Sequence, residues 1–121
     1  MFNGNLYYKT RKIGKNDSKF EASKAQELKL LKMAKEIKDF EEQVKIPIIV
    51  NGYLIATYTI DFLITHNNGE IEYLETKGYA TDVWKLKWKV FQALYSDIPG
   101  VILTVDYQGK SWKPRIKKVK S

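Results

Sequence analysis

Phe20, Ala25, Leu28, Leu31, Ala34 and Ile37 recur at helical intervals, while Lys24, Lys29, Lys32, Lys35 and Lys38 fill the positions between them. That spacing predicts an amphipathic helix over residues 18–37, packed by its apolar stripe against another element. The pattern then turns extended. Residues 43–50 read as a strand, Asn51-Gly52 as a two-residue hairpin turn, and residues 53–65, rich in Ile, Tyr and Thr, as a long second strand. His66-Asn67-Asn68-Gly69 marks another turn, with His66 as an inert turn residue, and residues 70–77 make a third strand. Thr81 is a candidate N-cap for a second helix over 81–95, in which Trp84, Trp88, Phe91 and Tyr95 form one stripe, available to the core or to a subunit interface. Asp97-Ile98-Pro99-Gly100 ends that helix, and residues 101–106 are a nearly continuous apolar run suited to a buried strand. The order α-β-β-β-α-β predicts an α/β fold, a small mixed sheet flanked by helices.

A length of 121 residues allows one domain, divided by pattern and charge into a basic arm over 1–17, a core over 18–106 and a basic tail over 107–121. No cysteine is present and His66 is the single histidine, which excludes disulfides, thiolate chemistry, a His-cluster metal site and a His-based triad. Catalysis is left to carboxylates, lysines, hydroxyls or a hard metal ion. No apolar stretch reaches membrane-spanning length, and the start of the chain has no apolar leader pattern, so the sequence reads as cytoplasmic with no membrane partner.

The net charge of +7 is unevenly spread. Residues 1–20 carry five basic residues against Asp17, and residues 110–121 carry six with no acid, leaving ten basic and thirteen acidic residues in 21–109. Lys110, Lys113, Arg115, Lys117, Lys118 and Lys120, with Trp112 among them, suit contact with a phosphate backbone and a stacked base; the plainer alternative is a solvated end. Lys85, Lys87 and Lys89 present the same choice on the second helix, between tracking a DNA backbone and forming a solvated face.

The informative chemistry lies in Asp61, Glu75 and Lys77. Glu75 and Lys77 are two apart on a strand and therefore share a face, with Thr76 pointing away. A three-residue loop over 67–69 with Gly69 left-handed pairs His66 with Glu70 and sets Asp61 opposite Glu75, whereas a two-residue turn sets it opposite Thr76. Opposed carboxylates about 5 Å apart call for a compensating cation. Mg²⁺ suits Asp61, Glu75 and the Thr76 backbone carbonyl, with Lys77 beside it to orient a water or offset phosphorane charge; the alternative is a surface ion pair. Glu21 projects from the apolar side of the first helix, where it either joins these acids or closes a capping box with Ser18.

In order and spacing these segments resemble the PD-(D/E)XK, or restriction-endonuclease-like, nucleases, in particular a small phage-encoded group associated with Holliday junction resolution. The resemblance spans about residues 17–105. It rests on Asp17-Ser18-Lys19-Phe20-Glu21-Ala22, Glu42-Gln43-Val44-Lys45, Tyr58-Thr59-Ile60-Asp61-Phe62, Glu75-Thr76-Lys77-Gly78 and Thr81-Asp82-Val83-Trp84-Lys85-Leu86-Lys87. Ile60 stands where the family's signature has a proline. What the resemblance implies is a Mg²⁺- or Mn²⁺-dependent endonuclease without a small-molecule cofactor, with Asp61 and Glu75 as ligands, Lys77 as the catalytic lysine and Glu21 as an additional acid. It also implies a homodimer acting on branched DNA, in a phage or prophage setting. The competing expectations are a nicking or end-processing nuclease on duplex DNA, and a DNA-binding module without catalysis.

Overall fold

A computed structural model describes residues 15–112 and 116–119. Helix α1 (Lys15–Met33) leads into strands β1 (Asp39–Val50), β2 (Tyr53–Thr65) and β3 (Ile71–Lys77), followed by α2 (Asp82–Tyr95), β4 (Val101–Tyr107) and β5 (Lys110–Trp112). One sheet holds all five strands in the order β1-β2-β3-β4-β5. Its pairs are antiparallel except β3 with β4, which run parallel because α2 carries the chain back across the sheet. The α/β class and mixed sheet agree with the pattern of the sequence. Among the described residues no helix is long and apolar enough to cross a membrane.

Neighbouring residues of β3 show which face each helix covers. Tyr73 packs with Phe91 and Tyr95 of α2, whereas Leu74 joins Leu28 of α1 with Phe62 and Ile64. Consecutive strand side chains point to opposite faces, so the helices lie on opposite sides of the sheet. Trp84, Trp88 and Phe91 are buried against Tyr58, Ile60 and Val105. The aromatic stripe of α2 is thus core, and the subunit-interface alternative for it falls away.

Four boundaries differ from expectation, the first being the start of α1 at Lys15, inside the span read as the basic arm. Helix α1 ends at Met33 rather than residue 37 because Lys35 adopts a left-handed φ of 63°. Its N–H donates to the Lys32 carbonyl at 3.0 Å and that of Glu36 to the Leu31 carbonyl at 2.8 Å, closing the helix without the usual glycine. Ile37 is buried beyond the helix, so the apolar period of the sequence runs past the helix end. Strand β1 starts at Asp39, four residues early. Strand β5, read as tail, forms a hairpin with β4 through Gln108 and Gly109, both at positive φ.

The two hairpin expectations hold. Asn51 and Gly52, at φ 52° and 84°, turn β1 into β2. Gly69 has φ 93°, its N–H donates to the His66 carbonyl at 3.0 Å, and the His66 N–H donates to the Glu70 carbonyl at 2.9 Å. This is the three-residue loop, and Phe62–Leu74 through Thr65–Ile71 pair in the register it sets. His66 also meets Glu72 through Nε2 at 2.8 Å, so it is tied to the sheet.

One irregularity prepares the site. Tyr58 and Ile60 pack with the α2 cluster while Phe62 and Ile64, of the same parity, pack under α1. A regular strand would send all four to one face, so the β1–β2 ribbon turns over between Ile60 and Phe62. Across from that point Gln43 is left-handed at φ 55°, between the Glu42–Phe62 and Val44–Ile60 pairs.

Phe91 is fully buried, with ring centroids 5.4–5.5 Å from Tyr58, Tyr73 and Trp88 and 4.7 Å from Tyr95. Phe91→Ala is expected to lower unfolding free energy by about 3–5 kcal/mol in urea melts; a loss below about 1 kcal/mol would mean that α2 does not anchor the sheet.

Candidate active site

The β2–β3 ladder stops at Phe62–Leu74, and the next pair in register is Asp61 opposite Glu75. Here side chains replace the backbone ladder. The Asp61 N–H donates to Glu75 Oε1 at 2.9 Å, and the Thr76 N–H donates to Asp61 Oδ2 at 2.9 Å. The Thr76 hydroxyl donates to the same Oδ2 at 3.0 Å, so Thr76, expected to point away from the site, is bonded to Asp61 through both its N–H and its side chain. Each carboxylate therefore braces the strand that carries the other.

Glu75 is almost fully buried, and its second oxygen accepts from the Tyr58 hydroxyl at 2.7 Å and the Trp84 indole Nε1 at 3.0 Å. The Lys77 ammonium stands 5.1 Å over the Trp84 ring, so one indole touches both ends of the Glu-x-Lys pair. Glu21 reaches the row from α1. Gln43 Nε2 donates to Glu21 Oε2 and, at 3.4 Å, to Asp61 Oδ1, setting one amide between two acids from different elements. The capping-box alternative for Glu21 is set aside, since α1 starts at Lys15 and Ser18 lies inside it rather than at its N-cap.

Burial, and next the negative charge of Asp61, push the Glu21 carboxyl up to about 7. Burial and the same neighbour raise Glu75 as well, and burial with the Glu75 charge raises the Tyr58 phenol. These are acids gathered without enough positive charge around them. Among the described residues no set of three or more acids and histidines closes around a single point as a metal cage does.

An open cleft of about 370 Å³ lies over the row, walled by Thr57 and Thr59 of the hairpin and by Val83, Trp84 and Lys87 of α2, with Asp61, Glu75 and Lys77 on its floor. Of the three candidate lysines of α2, all exposed, Lys87 faces this cleft, while Lys85 flanks a neighbouring groove with Lys110, Tyr107 and Gln108. Lys89 lies one turn beyond Lys85 on the same side of the helix. Lys117 and Lys118 are exposed, and Lys118 pairs with Asp97 at 3.2 Å. Lys113, Arg115 and Lys120 lie outside the described residues.

Gln43, Tyr58 and Trp84 stand in the segments that carry the family resemblance, but no motif in the sequence marks them as hydrogen-bond partners of the acids. A buried Tyr or Trp needs a partner for its polar edge, and both lie near the acids in the chain, which is the signal that was there to use.

A carboxyl raised in the fold binds its proton more tightly there than in the unfolded chain. Glu21 therefore favours the fold fully below about 4.5, and this contribution is lost as pH rises through about 7. In EDTA, the melting temperature of the wild type is expected to fall more steeply than that of Glu21→Gln between these values, leaving the variant the more stable at pH 8. Parallel thermal melts across that range would contradict the placement of Glu21.

No curated protein and no solved structure matches the chain. A family model described as a protein of unknown function (DUF1064) matches residues 7–109, which takes in every candidate site residue above except the basic tail. The protein belongs to that family.

Proposed function

We propose that the protein is a metal-dependent endonuclease hydrolysing DNA phosphodiesters, and more narrowly a phage-type cytoplasmic enzyme that cuts four-way junctions as a homodimer. One observation carries the reading: Glu21, Asp61, Glu75 and Lys77 gather from three elements at the gap where β2 and β3 part, on or beside a cleft that Lys87 also lines. Clustered acids beside a polyanion have no use in a module that only binds DNA, unless a cation joins them.

The donors fit Mg²⁺ or Mn²⁺, because they are oxygen ligands with no sulfur or imidazole among them. The Gln43 amide lies between Glu21 and Asp61 and supplies by hydrogen bonding what a cation would supply by charge. Asp61 and Glu21 would hold the ion, joined by Glu75 and the Thr76 carbonyl. Glu75 enters this set at a disadvantage, since Tyr58, Trp84 and the Asp61 N–H already engage its oxygens. When bound, such an ion polarises the phosphodiester and lowers the pKa of a water.

The chain's own groups do the rest. Lys77, held over Trp84, orients the attacking water and offsets the charge that grows on the phosphoryl oxygens. Glu75, anchored by Tyr58 and Trp84, fixes the Asp61 backbone and with it the Asp61 carboxylate. Lys87 draws the DNA backbone into the cleft, and Lys85 and Lys110 extend the track. The expected products carry 5′-phosphate and 3′-hydroxyl ends. Two copies are called for by the paired strands of a junction.

The test is cleavage of a labelled four-way junction beside linear duplex and single strand, with Mg²⁺ or EDTA. Paired nicks in the junction are expected, abolished by EDTA and reduced about 10²-fold or more in Lys77→Ala and Asp61→Asn. Cutting of every substrate would keep the nuclease and remove the junction. Tight binding with no cutting in either metal would leave a DNA-binding module.

A further inference from the structure

Beyond the cleft, the β1–β2 hairpin continues to a tip that, among the described residues, no other element covers. Tyr53 is 72% exposed, Leu54 66% and Ile55 62%, with Ile49 and Val50 exposed beside them. A patch of this kind on a small domain marks a contact surface. Its position narrows what the contact is. Thr57, two residues from Ile55, forms part of the cleft wall, so at about 3.3 Å per residue Tyr53 stands roughly 13 Å from that wall.

Whatever packs on the tip also borders the mouth through which the substrate enters. A separate protein seated there would narrow that entry, whereas DNA occupies both places as one molecule. Charge agrees: residues 46–60 contain no charged side chain, so a polyanion meets no like charge along the whole outer ribbon. Lys45, paired across the ribbon with Thr59, and Lys77 and Lys87 at the cleft supply positive charge where the phosphates would pass. The tip itself offers apolar surface, which suits base faces rather than phosphates. In continuous duplex those faces are stacked. At a branch point or a junction between single and double strand the stack is interrupted and the flanking bases part at little cost, so Leu and Ile side chains can drive in as wedges that unstack them while the Tyr ring fills the gap they leave. The Asn51-Gly52 turn keeps the tip to a ribbon of two strands, narrow enough to enter such a gap.

We propose that Tyr53, Leu54 and Ile55 form a wedge that packs against unstacked bases, so that the cleft is offered DNA at a branch rather than continuous duplex. This rests on the endonuclease reading and adds the element that selects the substrate. None of the three residues belongs to the catalytic row.

The test uses the full chain in EDTA with a four-way junction carrying 2-aminopurine at the branch, and with a continuous duplex carrying it at the same sequence position. The wild type is expected to raise 2-aminopurine fluorescence in the junction but not in the duplex. Tyr53→Ser/Leu54→Ser should abolish the rise and weaken junction binding on the order of tenfold, with duplex binding unchanged. Ile55→Thr, a smaller change, should reduce both effects in the same direction, and matching thermal melts establish that the variants fold. In Mg²⁺, the double variant should lose its preference for the junction while any duplex nicking persists. An unchanged fluorescence rise in the variants overturns the wedge, as does a wild type that binds the junction with no rise. A wild type that is dimeric by light scattering, with a double variant that is monomeric, overturns it in favour of a second copy at the tip. A rise in EDTA without cleavage in Mg²⁺ supports the wedge and removes the endonuclease reading instead.

Discussion

Where β2 and β3 part, hydrogen bonds that belong to a sheet pass to two carboxylates, and the site depends on that exchange. The Asp61 and Thr76 N–H groups need acceptors once the ladder ends, because an unpaired donor in a buried position costs free energy comparable to a lost hydrogen bond. Glu75 and Asp61 provide them. The same bonds fix both acids within one row of the sheet, next to Gln43, itself left-handed. A device that closes a gap in the backbone thus also aims two negative charges at one cleft.

Charge within the row is poorly balanced. Lys77 is the nearest ammonium on the strand, and it lies over the Trp84 ring. Glu21 and Glu75 are pushed toward protonation, first by burial and then by Asp61. Burial of acids is normally avoided unless they are paired. Tyr58, Trp84 and Gln43 reduce the cost by donating hydrogen bonds, yet these add no charge. Under the proposed reading a bound cation is what relieves this imbalance, and Lys87 on the cleft wall lies farther out, where a phosphate backbone would meet it. The division of labour follows distance: acids and Lys77 at the floor, Lys87 on the wall, Lys85 and Lys110 beyond it.

Much of this was legible in the chain, for identifiable reasons. The turn residues Asn51-Gly52 and the loop ending at Gly69 encode their geometry through the conformations only such residues adopt easily, so the register that sets Asp61 opposite Glu75 could be read directly. The helix over 81–95 carried both a cap and an apolar stripe. What could not be read has physical causes too. Lys35 and Gln43 take left-handed conformations that favour glycine or asparagine, so neither the end of α1 nor the irregular residue within β1 left a signal. Ile37 extended the helical period by chance of position, being buried from the following turn. Strand β5 hid in a run of basic residues whose composition reads as tail. The aromatic stripe was ambiguous because periodicity tells that a face is covered but not by what. Tyr58 and Trp84 were visible as core residues, while their hydroxyl and indole N–H depend on how three elements meet, which no local pattern records.

The most direct test of the central claim, that these acids form a cation site, is calorimetric titration of Mn²⁺ into the metal-free wild type and into Asp61→Asn. The account predicts saturable binding in the wild type that is lost in the variant, with both proteins folded by circular dichroism. No saturable heat in the wild type, or equal binding by the variant, would contradict it.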